Sequence, residues 1–194
     1  MLVAIEGLDQ SGKETQAQIL RDSIRAVGHK SRVVSFPDYG TSIGEEIARA
    51  LQGEREYGPE TMQLLYVANR FERKTDIERW NEAGLVVLFD RYVSSSVAYG
   101  EAHGLDPQWL TTLQVYLPQP ELTLLLDITP ETAVARKAVS RDRYEQDLSL
   151  LQRVRESYLR QAEHQDWVRV DGEQSKDRVA SDLAMALKSR LASR

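Results

Sequence analysis

Apolar residues along the chain fall into short continuous runs separated by longer stretches with helical spacing. The runs are short and rich in β-favouring residues, which predicts five strands: LVAIE (2–6), RVVSF (32–36), LVVLF (85–89), ELTLLLD (121–127) and WVRV (167–170). Three intervening stretches place apolar residues every three or four positions: Ala17, Leu20, Ile24 and Val27; Leu148, Leu151, Val154 and Tyr158; Val179, Leu183, Leu187 and Leu191. Each set predicts a helix with one buried face.

This alternation predicts an α/β fold of three layers, with one parallel sheet covered by helices on both faces. A length of 194 residues, 41% of them hydrophobic, suits a single domain over residues 1–194. Ligands of such folds bind beyond the carboxyl ends of the strands. The segments LVAIEG and LVVLFDR both end there in polar residues, and they are therefore the first places to look for chemistry.

Composition narrows the possible partners. The formal net charge of -5 repels polyanions, so no nucleic acid partner is expected. The absence of cysteine excludes disulfides and thiolate metal sites, and His29, His103 and His164 are too widely spaced for a recognisable metal motif. No apolar stretch reaches about 18 residues and the opening lacks a basic start, so neither a membrane span nor a signal peptide is predicted. We expect a cytoplasmic protein without membrane contact.

The segment GLDQSGKET (7–15) follows the first predicted strand and precedes a predicted helix. Its glycines allow successive backbone N–H groups to point inward, and the following helix adds its positive end, which suits phosphate oxygens. Lys13 would reach the outer phosphates. The alternative is a glycine-rich turn with a surface lysine, but the strand and helix on either side favour the phosphate loop.

Glu14 departs from the usual phosphate-loop motif, which has a serine or threonine after the lysine to bind magnesium. A carboxylate at this position could bind the metal or face water. Thr15 still offers a hydroxyl, but a side chain one residue further round a helix points about 100° away, which argues against simple ligation by Thr15. The loop is predicted to hold phosphate as usual and to hold its metal differently.

LFDRY (88–92) is the second chemical signal. In phosphate-loop enzymes an aspartate at the end of a buried strand faces magnesium, usually through water, and an adjacent arginine can bind a second anion. Asp90 and Arg91 fit these two roles. The alternative is a surface ion pair worth less than about 1 kcal/mol.

These two motifs occur together with FPDYG (36–40), LLYVANRFE (64–72) and LPQPELTLLLDITPE (117–131). In the order and spacing of all five motifs the chain resembles thymidylate kinase along nearly its whole length. The resemblance implies transfer of the terminal phosphoryl group of ATP to dTMP, with magnesium (Mg²⁺) as cofactor, to supply dTTP synthesis. It also implies a P-loop NTPase fold with a five-stranded parallel sheet, a short lid and a homodimer.

The resemblance assigns roles near the acceptor phosphate. Asp9 matches the acidic residue that reaches the sugar 3′-hydroxyl and the metal region. Phe36 and Tyr39 match residues that line the monophosphate pocket, with Pro37 as a candidate cis proline. The alternative for this segment is an ordinary turn after a strand.

Tyr66 and Arg70 are four residues apart and so share one face of a helix. The family match implies that the Tyr66 ring stacks on thymine, although phenylalanine is the common residue there, and that Arg70 donates to O4 of the base. Such a donor disfavours cytosine, whose amino group would leave the arginine unpaired. The alternative is a core aromatic beside a surface arginine.

DRYVSSSVAYG (90–100) extends the acceptor site. By the same match, Arg91 grips the dTMP phosphate, while Ser96 and Tyr99 border the sugar and base, with Tyr99 leaving no room for a ribose 2′-hydroxyl. Ser95 is interpreted differently, as a residue that caps backbone donors at a helix start.

The lid is assigned to about residues 136–145, where four basic residues crowd together: Arg136, Lys137, Arg141 and Arg143. Because the loop carries Gln10 where some family members have an arginine, the catalytic arginine is expected in the lid, with Arg141 the first candidate and Arg136 the second. Tyr144 and Glu145 match positions near the sugar and the metal. At least two of the basic residues are expected to be only a solvated face.

The resulting site has three parts. The ATP site comprises Gly7, Leu8, Asp9, Gln10, Ser11, Gly12, Lys13, Glu14, Thr15 and Arg136; the metal ligands are Asp9, Asp90 and Glu145; catalysis is assigned to Lys13, Arg91, Asp9 and Arg141. Two rival hypotheses remain open. One is another nucleoside monophosphate kinase, and the other is a non-catalytic nucleotide-binding module in which Glu14 and Gln10 mark a decayed site.

Overall fold

The computed structural model describes residues 1–136 and 148–192. The strands are β1 (Leu2–Gly7), β2 (Ser31–Ser35), β3 (Val86–Asp90), β4 (Leu122–Asp127) and β5 (Val168–Asp171). All four neighbouring pairs are parallel, and the strand order is β2-β3-β1-β4-β5. The five predicted strands and the parallel sheet are confirmed.

Helices connect the strands and cover both faces of the sheet. They are α1 (Lys13–Ala26), α2 (Ser42–Leu51), α3 (Pro59–Glu72), α4 (Lys74–Glu82), α5 (Val93–Ala102), α6 (Pro107–Thr112), α7 (Pro130–Ala135), α8 (Leu148–His164) and α9 (Lys176–Ala192). Val3 and Ile5 of β1 pack with α1 and α9 on one face, whereas Leu2 and Ala4 pack on the other. Among these described helices, none has the length and apolarity needed to cross a bilayer.

Most of the apolar residues predicted to form buried helix faces are indeed buried, but two residues at the ends of these sets are exposed. Val27 is 72% exposed because α1 ends at Ala26, just before Gly28 in a left-handed conformation. Leu148 is 47% exposed at the first position of α8. The prediction was therefore wrong for these two residues, since periodicity continued past the actual end of one helix and into the first turn of another.

Strands β1 and β3 end side by side, and their last residues lead into unusual backbone. Ile5 pairs with Asp90, and the Arg91 N–H donates to the Ile5 carbonyl at 3.1 Å. Arg91 has a φ of 64° and Gln10 a φ of 63°, a region that residues other than glycine rarely occupy. At Gly7 a Cβ would lie 2.4 Å from the Leu126 carbonyl oxygen, so only glycine fits there. The two chemical segments predicted from the sequence are thus held at one edge of the sheet.

The segment after β2 is tied to α3 by Asn69. The Asn69 side chain accepts from the Asp38 N–H at 2.7 Å and donates to the Asp38 carbonyl at 3.1 Å. It also donates to the Thr41 hydroxyl at 2.8 Å, and that hydroxyl caps α2 by accepting from the Gly44 N–H. Helices α2 and α3 and the FPDYG segment therefore meet at one fully buried amide.

The close approach of α2 to FPDYG gives a test of this packing. In Gly44→Ala the new Cβ would lie 1.8 Å from the Asp38 carbonyl oxygen, so the backbone must move. We expect the free energy of unfolding to fall by about 2 kcal/mol, measured by urea denaturation. Gly40→Ala is the matched control, because its Cβ meets only the Asp38 side chain at 3.3 Å, and its effect should stay within about 0.5 kcal/mol. Equal stability of the two variants would contradict the close approach.

Candidate active site

The phosphate loop wraps around the Lys13 side chain. Lys13 begins α1, is only 6% exposed, and donates from Nζ to the Leu8 carbonyl at 2.7 Å and to the Ser11 hydroxyl at 3.4 Å. The Ser11 N–H donates back to the Leu8 carbonyl at 3.2 Å. The loop is thus closed around a buried cation at the amino end of a helix, which is an arrangement suited to bind an anion.

Burial makes the charge on Lys13 costly. Burial and, next, the positive charge of the neighbouring Arg91 lower the pKa of the ammonium group, which comes to about 8. The carboxylates of Asp9, Asp90 and Glu6 act in the opposite direction. A phosphate bound in the loop would place negative charge next to the Lys13 ammonium group and so stabilise its charged form.

Glu14 and Thr15 both lie on the exposed side of the first turn of α1. Glu14 also borders the cavity described below. The carboxylate that replaces the usual hydroxyl therefore lies at the edge of that cavity.

Asp9, Arg91 and Tyr99 form one hydrogen-bonded group between the loop and the cavity. Arg91 Nη2 pairs with Asp9 Oδ1 and donates to the Tyr99 hydroxyl at 3.2 Å, while that hydroxyl donates to Asp9 Oδ2 at 3.0 Å. Burial acts to raise the pKa of Asp9, but Arg91, Lys13 and the Tyr99 hydrogen bond outweigh it and hold the pKa below its usual value. Burial acts to lower the pKa of Arg91, yet Asp9 and the nearby tyrosines raise it. Both groups are therefore charged at neutral pH.

A cavity of about 400 Å³ opens beside this group, within the size range of small-molecule sites. Many residues singled out from the sequence line it: Asp9, Glu14, Phe36, Pro37, Tyr39, Tyr66, Arg70, Asp90, Arg91, Ser96 and Tyr99. Several lining residues were not predicted: Ser35, Leu51, Pro59, Met62, Gln63, Ser95 and His103. Of the unpredicted residues, Leu51, Pro59 and Met62 carry no chemical signal in the sequence.

FPDYG forms one wall of the cavity. The Phe36-Pro37 peptide bond is cis, as the sequence suggested. Phe36 is 4% exposed and its ring centroid lies 5.6 Å from that of Tyr92, whereas Tyr39 is 49% exposed at the rim. The segment is a turn after a strand, as the alternative stated, but it is also a lining of the cavity.

Arg70 lies inside the protein, so the alternative of a surface arginine is wrong. It is 3% exposed, and its Nη1 donates to the Ser96 hydroxyl at 2.8 Å and to the Tyr66 carbonyl at 3.3 Å. Burial lowers its pKa to about 10, and Glu6 and neighbouring tyrosines oppose that change. Arg70 Nε has no hydrogen-bond partner within residues 1–136 and 148–192. The guanidinium group borders the cavity from inside the protein, so it is placed to bind a polar ligand there.

Ser95 does not cap a helix, so that prediction was wrong. Helix α5 has no side-chain cap, and Ser95 instead donates to the buried carboxylate of Glu6 at 2.7 Å. Glu6 and Tyr158, which joins the same contacts, were missed as functional candidates. The sequence did offer a signal for Glu6, because a carboxylate in the apolar run LVAIE is unusual. For Tyr158 the helical spacing predicted only a residue on the buried face of a helix.

The predicted lid falls mostly outside the described residues. Lys137, Arg141, Arg143, Tyr144 and Glu145 all belong to residues 137–147 and their assigned roles stay predictions. Arg136 is described, and it donates from Nη2 to the Gly172 carbonyl at 3.0 Å, beside the loop between β5 and α9.

A magnesium ion would find a small number of protein ligands here. Within the described ranges, no group of three or more His, Cys, Asp or Glu side chains could hold a metal. Mg²⁺ commonly needs only one or two carboxylates, because water and substrate phosphates complete its shell. Asp90 fits this requirement, because it ends β3 and borders the cavity. Both Asp9 oxygens are already engaged by Arg91 and Tyr99, so a metal contact there would compete with those bonds.

The fold and the site define a class of protein. A glycine loop between β1 and α1, with an Asp-Arg pair at the end of the adjacent parallel strand, is the arrangement of a phosphate-transferring enzyme with the P-loop NTPase fold.

Comparison with known proteins identifies the family. The thymidylate kinase family model matches residues 5–183. A thymidylate kinase from Schizosaccharomyces pombe is 32% identical over 187 residues, which cover 94% of this chain and 89% of that protein. A thymidylate kinase from Arabidopsis thaliana is 38% identical over 144 residues, covering 74% of this chain and 55% of that protein. The chain belongs to the thymidylate kinase family and is a kinase.

The solved structures agree with this assignment. A thymidylate kinase from Candida albicans superposes with a TM-score of 0.83 at 29% sequence identity, covering 97% of this chain and 91% of that one. The resemblance inferred from the five motifs and the predicted P-loop fold are both confirmed.

The buried charge of Lys13 predicts a stability cost in the ligand-free protein. Because its pKa falls from 10.5 to about 8 on folding, the folded state binds fewer protons than the unfolded state between these values. Lys13→Met should therefore raise the free energy of unfolding at pH 7 by about 1 to 3 kcal/mol. The gain should shrink as the pH rises from 8 towards 10.5, measured by urea denaturation across that range.

Lys188→Met is the matched control, because Lys188 is exposed on α9. Its stability should follow that of the wild type at every pH. A gain in Lys13→Met that persists unchanged above pH 10.5 would contradict the assigned cause.

Proposed function

We propose that this chain transfers the terminal phosphoryl group of ATP to dTMP, giving ADP and dTDP, and so supplies dTTP synthesis. The observation that carries the proposal is the Asp9-Arg91 pair, which lies between a phosphate loop and a cavity that is also lined by the buried side chains of Arg70 and Ser96. An enzyme that phosphorylates a nucleoside monophosphate needs a donor site and an acceptor site next to each other.

The loop is the donor site in this proposal. Backbone N–H groups of residues 7–15 and the Lys13 ammonium group bind the β- and γ-phosphates of ATP, and Arg136 is a further candidate for this site. Glu14 belongs to the same loop and borders the cavity, and it approaches the metal or water rather than a phosphate, since two anions in contact repel each other.

The cavity is the dTMP site. Arg91 binds the acceptor phosphate, and Arg70 donates to O4 of the base while Tyr66 stacks on it. Tyr99 and Ser96 border the sugar and the base, and Asp9 lies near the 3′-hydroxyl. Support comes from the position of all these side chains in one cavity.

Catalysis in this arrangement depends on positioning and charge cancellation, because two polyanions must meet in line. Lys13 and Arg91 hold one phosphate each, and no strong general base is needed since the attacking phosphate oxygen is already ionised. Mg²⁺ would be held by Asp90, with Asp9 and Glu145 as further candidates, and when bound it supplies positive charge to the phosphates. Arg141, and failing that Arg136, is the proposed source of a further positive charge at the transferred group.

The family resemblance also supports three properties that we propose on that basis alone. The chain acts as one domain with a lid at about residues 136–145, it forms a homodimer, and it works in the cytoplasm.

The direct test is ADP release from ATP with dTMP, dUMP, the ribose form of TMP, dCMP and AMP as acceptors, over a range of magnesium concentrations. Fast turnover with dTMP, slower turnover with the ribose form and little with dCMP or AMP is expected. Preference for another acceptor would identify a different nucleoside monophosphate kinase. ATP binding without turnover of any acceptor would identify a non-catalytic module instead.

Two variants test the assigned roles of the cations. Lys13→Ala and Arg91→Ala should each lower kcat/KM by at least about 100-fold, because each removes a charge-assisted contact in the transition state. Arg79→Ala is the control, since Arg79 is 70% exposed and pairs with Asp76 on the surface of α4. The measurement is steady-state kinetics with both ATP and dTMP. A near-normal kcat/KM in Lys13→Ala or in Arg91→Ala would refute the role assigned to the residue that was replaced.

A further inference from the structure

A buried carboxylate lies behind the proposed phosphate-binding arginine. Glu6 sits on β1 and is 0% exposed, although it is charged and surrounded by apolar neighbours in sequence. It accepts hydrogen bonds from the Tyr92 N–H at 2.9 Å, the Ser95 hydroxyl at 2.7 Å and the Tyr158 hydroxyl at 3.2 Å. A charged group so deep in a core is costly unless it is fully hydrogen-bonded, and these three donors meet that need.

The Glu6 carboxylate restricts where the hydroxyl protons of Ser95 and Tyr158 can point, and neither of them points to Arg91. A hydroxyl has one proton and two lone pairs, and an ionised carboxylate can only accept. Ser95 gives its proton to Glu6, so Tyr158 must direct its own proton either to Glu6 or to the Ser95 oxygen, which lies 2.8 Å away. Burial, and next the charge on Glu6, raise the pKa of Tyr158, which keeps that proton in place. Both hydroxyl oxygens therefore keep lone pairs that can accept a further hydrogen bond.

Those lone pairs face Arg91. Its Nη1 lies 3.4 Å from the Ser95 oxygen, 3.4 Å from the Tyr158 oxygen and 3.2 Å from the Gly7 carbonyl, all three of which accept. Its Nη2 is engaged by Asp9 and Tyr99 on the other side. Ser95 belongs to α5, Tyr158 to α8 and Glu6 to β1, so three separate elements fix one guanidinium group.

We propose that Glu6, Ser95 and Tyr158 are positioning residues that orient Arg91 for the acceptor phosphate. The inference rests on the proposed function of Arg91 as the group that binds that phosphate. A free arginine side chain loses substantial rotamer entropy when it is ordered by a ligand. Here the hydroxyl pair orders it before the ligand arrives, so the acceptor phosphate meets a preorganised donor.

The test removes single hydroxyl groups without changing the volume of the core. Tyr158→Phe should lower kcat/KM for dTMP by about tenfold, chiefly through a higher KM for dTMP, while KM for ATP stays within about twofold of the wild type. Ser95→Ala should act in the same direction on the same substrate. A merely structural role would lower the amount of active enzyme and leave both KM values unchanged.

Tyr92→Phe is the matched control. Tyr92 is 0% exposed, and its hydroxyl has no hydrogen-bond partner in the described part of the chain, so its removal should leave all kinetic constants unchanged. The two Tyr→Phe variants thus remove the same group from two buried positions, one whose hydroxyl contacts Arg91 and one whose hydroxyl does not.

A double-mutant cycle separates this inference from the proposed function. In an Arg91→Ala background Tyr158→Phe should change kcat/KM by less than about twofold, because the residue that it positions is gone. An undiminished effect in that background, or an unchanged kcat/KM in the single Tyr158→Phe variant, overturns the inference while leaving the function intact. Normal activity of Arg91→Ala alone overturns the proposed role of Arg91 and the inference with it.

Discussion

The site depends on the parallel pairing of β1 with β3. Their register places Ile5 beside Asp90, and the ladder extends one step further through the Arg91 N–H. Arg91, the residue directly after β3, forms an ion pair with Asp9, which lies two residues beyond the end of β1 and 82 positions away in sequence. Because parallel strands present their carboxyl ends at one edge, the phosphate loop and Arg91 become neighbours without any dedicated connecting structure.

The candidate site concentrates positive charge, although the protein as a whole is negatively charged. The chain carries a net charge of -5, yet Lys13 and Arg70 are almost completely buried and Arg91 is only 15% exposed. Burial of Lys13 and Arg70, and the repulsion between Lys13 and Arg91, are offset only in part by carboxylates such as Asp9 and Glu6, so the pKa values of Lys13 and Arg70 stay lowered. Bound anions would supply the missing negative charge, and the empty site is therefore expected to lower the free energy of unfolding.

Sequence reasoning succeeded where information is local. The five strands, the phosphate loop and the strand-end Asp90-Arg91 pair could be read from apolar runs and short motifs, because each depends on residues within about ten positions of one another. It failed at helix ends, as for Val27 and Leu148, where capping and tertiary packing decide the boundary. It also misread Ser95 and missed Tyr158, since their contacts join β1, α5 and α8 across 63 to 152 positions. No pattern along the chain encodes which distant oxygen a hydroxyl will meet.

Asn69 links two halves of the proposed acceptor pocket. It is one residue before Arg70 on α3, and its amide is bonded on both sides to Asp38, in the segment that forms the opposite wall. These hydrogen bonds couple the helix that would contact the base to the segment that would flank the phosphate. A shift of α3 to admit a larger or differently shaped base would have to break them or displace that segment as well. We therefore expect changes of substrate range in this scaffold to arise more readily from exchange of individual side chains than from movement of α3.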